Sequence, residues 1–326
     1  MGDCLMSKKY KIVHVSQTPL VAAPSKIALA QRLNGHDSIA VAINDYPAKG
    51  PLAGKFIEEY ILESEFTQPF IDAAIQSADI IHVHNDIPDS WAERLIGNNQ
   101  NARYFYQAHS PLREGPLYLP RYSEIKLPFS ANLVVGQFQP RIHKDHIFVP
   151  NIVHDVPGFT PRRKDQKLRV IFSPTHLRPG RWNNKHVEKL DVAIDALVKL
   201  GKIEAIIPTE PVAPKTLMAM RKTCHVTIDE IATGGFHQVS IEGLAAGNVT
   251  INRADFFCKA VFSNFTDGLF PPFVYATGES IASLLEELAN DWQRTVELQE
   301  QSLEFFKTHL TPEKMAAVFD KAYEII

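Results

Sequence analysis

Cysteine is scarce: three in 326 residues, at Cys4, Cys224 and Cys258, with no Cys-x-x-Cys pair. That excludes a disulfide framework and a thiolate zinc centre, and suits a reduced, cytoplasmic setting. An excess of basic charge is also missing. Lys and Arg total 34 against 37 Asp and Glu, for a net charge of -3, so no overall positive field draws nucleic acid. The densest basic run, "PRRKDQKLR", reads as a solvated linker. No apolar run reaches the ~18 residues of a membrane span. The opening "MGDCLMSKKY" lacks a signal-peptide core, and Met6 breaks the myristoylation pattern. Any membrane contact is therefore expected at the surface, on the inner face. The chain has no Asp-x-Asp and no zinc-like Cys/His spacing, so neither metal nor prosthetic group is expected.

What is present is alternation. "KIVHVS", "SIAVAI" and "DIIHVH" are short runs rich in β-branched residues, read as strands, and helical patterns such as "ALAQRLNGHD" separate them. Strands alternating with helices predict parallel βαβ units and an α/β fold. Near Pro150 the pattern resets through a Pro- and charge-rich stretch, and a second series starts at "LRVIFS". Two doubly wound halves would face a cleft at the carboxyl ends of their strands. The helical pattern from about Ser280 to Phe306 reads as one stretch, and Pro312 opens another.

"GGFHQVSIEGLAAGNVTIN", Gly234 to Asn252, carries one carboxylate, Glu242, among small and apolar residues. Gly243 beside it costs helix stability, roughly 1 kcal/mol against Ala, which implies that something approaches the backbone closely. The Gly234-Gly235 pair leaves amides that, with a helix N-terminus, suit an anion. Glu242 could then accept a hydrogen bond from a sugar hydroxyl. The same residues also suit a tight turn before a core helix.

The stretch resembles the nucleotide-sugar signature of retaining glycosyltransferases of family 4, which have the GT-B fold. "VPNIVHDVPGF" resembles the family's interdomain link. "IFSPTHLRPGRWNNKHVEKLDVAIDAL" resembles its next strand, basic loop and helix, and "DIIHVHN" an acceptor-domain strand end. The resemblance implies an acceptor-side Rossmann-like domain over 1–157 and a nucleotide-sugar-binding one over 158–305. Residues 306–326 would form a helix packing back on the first domain. It implies that Glu242 binds the ribose and that the backbone of Gly234, Gly235, Phe236 and His237 lies near the diphosphate and sugar. Arg178, Arg181 and Lys185 are candidates for the pair that neutralises the leaving group, Arg178 on the donor-binding side. His109 would stand by the donor sugar, with His84 and Asn85 on the acceptor side. The family's first glutamate is absent, because position 234 is glycine, and the first loop offers Ala22-Ala23 where a double glycine is usual.

The implied activity is transfer of a sugar from a nucleoside diphosphate donor, as co-substrate, to a hydroxyl acceptor, with retention and without a metal. The acceptor would be a saccharide, a glycolipid or, less in keeping with the charge, a modified nucleic acid. Two rivals stay open on the same scaffold: a nucleotide-sugar epimerase, and a non-catalytic nucleotide-binding protein.

Overall fold

The computed structural model describes residues 8–50, 52–56, 60–109, 123–136, 143–173 and 187–324. Its first half holds β1 (Lys11–Ser16), α1 (Ala23–Leu33), β2 (Asp37–Ala42), β3 (Ile61–Leu62), α2 (Gln68–Ser77), β4 (Ile80–His84), α3 (Asp89–Asn98), β5 (Arg103–Ala108), β6 (Phe129–Val135) and β7 (Ile147–Val149). β1 and β4 are buried along almost their whole length. A strand covered on both faces needs this unbroken apolar run rather than alternation. The strands form one sheet in the order β3-β2-β1-β4-β5-β6-β7, with every pairing parallel. The order reverses between β1 and β4, the place where α/β sheets open a crevice at their carboxyl ends.

The second half holds β8 (Leu168–Phe172), α4 (Glu188–Lys199), β9 (Ile203–Ile206), α5 (Pro214–Lys222), β10 (Val226–Ile228), α6 (Gln238–Ala245), β11 (Val249–Asn252), α7 (Phe256–Ser263), β12 (Val274–Tyr275) and α8 (Ile281–Asn290). Its sheet runs β12-β11-β10-β8-β9, again all parallel, with the reversal between β8 and β10. Both doubly wound halves of the expected α/β architecture are thus present.

α9 (Trp292–His309) and α10 (Pro312–Glu324) close the chain. α9 lies along α6, and α10 returns to lie along α1 of the first half. The stretch from Ser280 to Phe306 is two helices, not one. Asp291 leaves helical conformation (φ -107°, ψ 92°), and its carboxylate accepts the Arg294 amide at 3.0 Å as the cap of α9. α9 runs unbroken to His309, so a boundary at 305/306 falls inside it.

Gly243 is approached closely, and by the sheet. A Cβ there would stand 2.5 Å from Thr250 Oγ1 and 3.1 Å from Thr227 Cβ. Gly243→Ala gains helix propensity but overpacks this contact, so it should lower stability by about 1–3 kcal/mol. Urea unfolding should show a lower midpoint, and an unchanged one would mean that the helix can lift off β10 and β11.

Candidate functional site

Glu242 sits on α6 at the line where the two halves meet. It is buried, and its charge is met from three directions. Arg221, a fully buried residue of α5, donates to Oε2 from Nη2 at 3.0 Å and from Nε at 3.3 Å. Gln238, one turn earlier on α6, donates to Oε1 at 2.7 Å. Lys26, from α1 of the opposite half, brings its Nζ to 3.9 Å of Oε1. Burial lowers the Lys26 pKa, and the carboxylates of Glu242 and Asp155 offset part of that. The acid is therefore not a partly exposed surface glutamate. A charge this deep needs partners, and it has them.

Lys26 also lines a pocket between the halves. From the first half come Ala22, Ser25, Lys55 and Phe56, from the link His154 and Asp155, and from the start of α5 Pro214 and Lys215. Three lysines thus surround a site of about 100 Å³. The loop that leads into α1 has an unusual backbone. Leu20, Val21 and Ala22 have φ of 47°, 55° and 66°, in the left-handed region that favours glycine. None is glycine, and each such residue costs roughly 1–2 kcal/mol. The Tyr46 hydroxyl accepts the Val21 amide at 3.1 Å, and the Tyr60 hydroxyl donates to the Pro19 carbonyl. The turn a double glycine would make freely is made here under restraint.

The loop before α6 is more acidic than an anion site would suggest. Asp229, at the end of β10, accepts the His237 amide at 2.5 Å and the Ser240 hydroxyl at 2.8 Å. Its other oxygen lies 3.3 Å from His237 Nδ1. Glu230 accepts the amides of Ala232 and Thr233, both at 2.8 Å. An internal carboxylate thus already occupies part of the N-terminus that the sequence leaves for a phosphate. Gly234 has φ +83°, and a Cβ on it would lie 3.6 Å from the Asp255 carboxylate. Restoring a glutamate there would meet both backbone strain and like charge. The ring of Phe236 faces the core, edge-on to Phe262 and Phe273, so only its backbone can face a ligand.

At the carboxyl end of the first sheet, His109 follows β5 and is part-buried. Its Nε2 lies 2.9 Å from His84 Nδ1, and its amide donates to Asn85 Oδ1 at 2.6 Å. His84 is fully buried. Asn85 takes φ +58°, the left-handed turn that Asn tolerates. The structure ties both residues expected on the acceptor side to His109, His84 through its ring and Asn85 through its side-chain oxygen. Burial pushes the His109 pKa down to about 3, so its imidazole is neutral at pH 7. Arg178, Arg181 and Lys185 lie outside the described residues. Arg221 and Lys26 escaped the sequence reading. Each stands in an ordinary amphipathic helix, and only the tertiary fold brings either to Glu242.

No protein-family model matches the chain, and no curated protein sequence matches it. Solved structures do. An α-glucosyltransferase in complex with UDP-glucose and DNA containing an abasic site is 11% identical, with TM-score 0.63 over 98% of this chain and 99% of that one. A glycosyltransferase from Rickettsia africae ESF-5 is 12% identical, with TM-score 0.58 over 97% and 98%. A sucrose-phosphate synthase from Thermosynechococcus elongatus gives the same identity, score and coverage. At such identity the likeness establishes the fold, which is GT-B.

Proposed function

We propose that this protein is a glycosyltransferase that moves a sugar from a nucleoside diphosphate donor to a hydroxyl acceptor. The observation that carries the reading is the placement of Glu242. In a GT-B chain it lies buried where the halves meet, within reach of Lys26, beside a pocket that three lysines line. A carboxylate so placed can accept from ribose hydroxyls, and cations so placed can neutralise a diphosphate without a metal. Arg178, Arg181 and Lys185 are proposed to complete that set, and the backbone of Gly234, Gly235, Phe236 and His237 to border the sugar. The solved relative that carries UDP-glucose supports a donor of this class.

About 100 Å³ is well below the ~300 Å³ at which ligand pockets start. Donor entry would therefore part the halves and separate Lys26 from Glu242, and closure would then exclude water. Retention is proposed because attack from the face of the departing diphosphate needs no covalent carboxylate. Burial disfavours a charged imidazole at His109, which is proposed to serve as a neutral hydrogen-bond partner, with the departing diphosphate oxygen as the base on that face. The first half is proposed to carry the acceptor, a saccharide or glycolipid ahead of a nucleic acid.

A thermal-shift screen of UDP-, GDP-, ADP- and CMP-sugars tests the reading. One nucleotide class should raise Tm by roughly 5 °C at 100-fold excess over Kd. Glu242→Gln should remove most of that rise. No shift with any donor or free nucleoside diphosphate would sink the proposal. Donor binding without transfer to any acceptor would favour a non-catalytic nucleotide-binding protein.

A further inference from the structure

Behind His109 runs a chain of buried side chains. His109 Nε2 meets His84 Nδ1 at 2.9 Å, and His84 Nε2 meets His14 Nδ1 at 2.9 Å. His14 Nε2 meets Gln31 Oε1 at 2.8 Å. The Ser38 hydroxyl donates to the same Oε1 at 2.7 Å. The other end of the Gln31 amide donates to the Tyr323 hydroxyl at 3.1 Å, and that hydroxyl lies 2.8 Å from His82 Nδ1. His14, His82 and His84 are wholly buried, as is Gln31.

Burial keeps every one of these rings neutral, with His14 near 4 and His82 and His84 well below their usual value. A neutral imidazole carries one N–H. Each ring in the chain must therefore donate on one side and accept on the other. The three rings cannot choose separately: the direction of all their bonds is a single two-state variable, and the group at the end decides it. Gln31 gathers two donors on its carbonyl, so His14 donates from Nε2 and accepts at Nδ1. His84 then donates from Nε2, and so does His109.

We propose that Gln31 is a positioning residue that acts through His14 and His84 to fix the proton of His109 on Nε2, which leaves Nδ1 to accept a hydrogen bond from a ligand hydroxyl in the groove. That the hydroxyl belongs to a sugar rests on the glycosyltransferase reading; the proton arrangement does not. His14, His82 and His84 also bring three ring nitrogens within 4.8 Å, close enough to suggest a metal ion. The geometry favours the hydrogen-bonded chain. The nitrogens of His14 and His84 are 2.9 Å apart, whereas two imidazoles about 2.0–2.1 Å from a tetrahedral zinc hold theirs about 3.3 Å apart. His82 and His84 also stack, with ring centroids 4.3 Å apart and planes 21° apart, so their lone pairs run side by side rather than converge.

Two-bond proton–nitrogen correlation spectra of the full chain, labelled at histidine, ligand-free and at pH 7, read the tautomers directly. The expected result is an Nε2–H tautomer at His14, His84 and His109. An Nδ1–H tautomer at His109, or a mixture in the wild type, would overturn the proposal. So would a stoichiometric transition metal in the purified protein. In Gln31→Leu the terminus is gone, and His109 should become a mixture; a pure Nε2–H tautomer there would remove Gln31 from the role. The wild-type spectrum decides the matter even where that variant does not fold. With a donor in hand, Gln31→Leu should also raise its Kd about tenfold. Absence of all donor binding would count against the sugar and leave the tautomers standing.

Discussion

Urea unfolding between pH 7 and pH 4 should show stability falling by more than about 4 kcal/mol per pH unit once the pH is below about 6. Three wholly buried histidines, His14, His82 and His84, supply that slope, and His225, equally buried and held down to about 4, adds to it. In the unfolded chain each titrates near 6.5. In the folded chain burial holds His14 down to about 4, and His82 and His84 well below 6.5. Within that window the unfolded state binds protons and the native state does not, so falling pH favours unfolding. The contribution is fully present above pH 6.5 and is lost as the pH falls towards 4. Each such ring gives a slope of about 1.4 kcal/mol per unit. Since a domain's whole stability is roughly 5–15 kcal/mol, the protein should unfold in mild acid, before most carboxylates titrate. A flat profile from pH 6.5 to 5 would mean that water reaches these rings in the native state.

Glu242→Ala should cost about 3–5 kcal/mol of stability, because it leaves Arg221 wholly buried without its carboxylate. Removing both charges, as Glu242→Leu with Arg221→Met, should recover most of the loss, since a buried ion pair is often replaceable by apolar groups of similar volume. Chemical denaturation of the two single variants and the double variant gives the coupling between them. If the double variant is as unstable as the sum of the singles, the pair is not what holds α5 to α6. The result bears on function too. Lost donor binding in Glu242→Ala would mix a broken site with a weakened fold. Glu242→Gln keeps an acceptor oxygen towards Arg221 and is the cleaner variant.

The architecture was legible because both sheets are parallel and buried, and such strands announce themselves as short β-branched runs such as "KIVHVS" and "DIIHVH". The site was legible where chemistry sits at strand ends. His84 and His109 end neighbouring parallel strands, and Glu242 stands alone in an apolar helix. Their neighbours were not legible. Lys26 and Arg221 meet Glu242 from two other helices, and Gln31 meets Tyr323 across 292 positions. Local pattern carries no trace of contacts so remote. The acidic loop misled for a related reason. Gly234-Gly235 reads as open backbone, while the carboxylate of Asp229 that bonds the His237 amide lies upstream at the end of β10. The break at Asp291 was local but went unread, since an Asp between two helical patterns can as easily be a surface residue as a cap.

Tyr323 has a consequence for the order of events during synthesis. All seven strands of the first sheet are made by Val149, yet the hydroxyl that joins Gln31 to His82 arrives on α10. The Tyr323 carbonyl also receives Arg103, at the start of β5. A nascent chain can pair its early strands while still on the ribosome, but its histidines must wait with an open end until Tyr323 has been made. The first half is thus begun early and completed only after the whole second half has been made, and its groove acquires a settled proton arrangement only when α10 docks along α1.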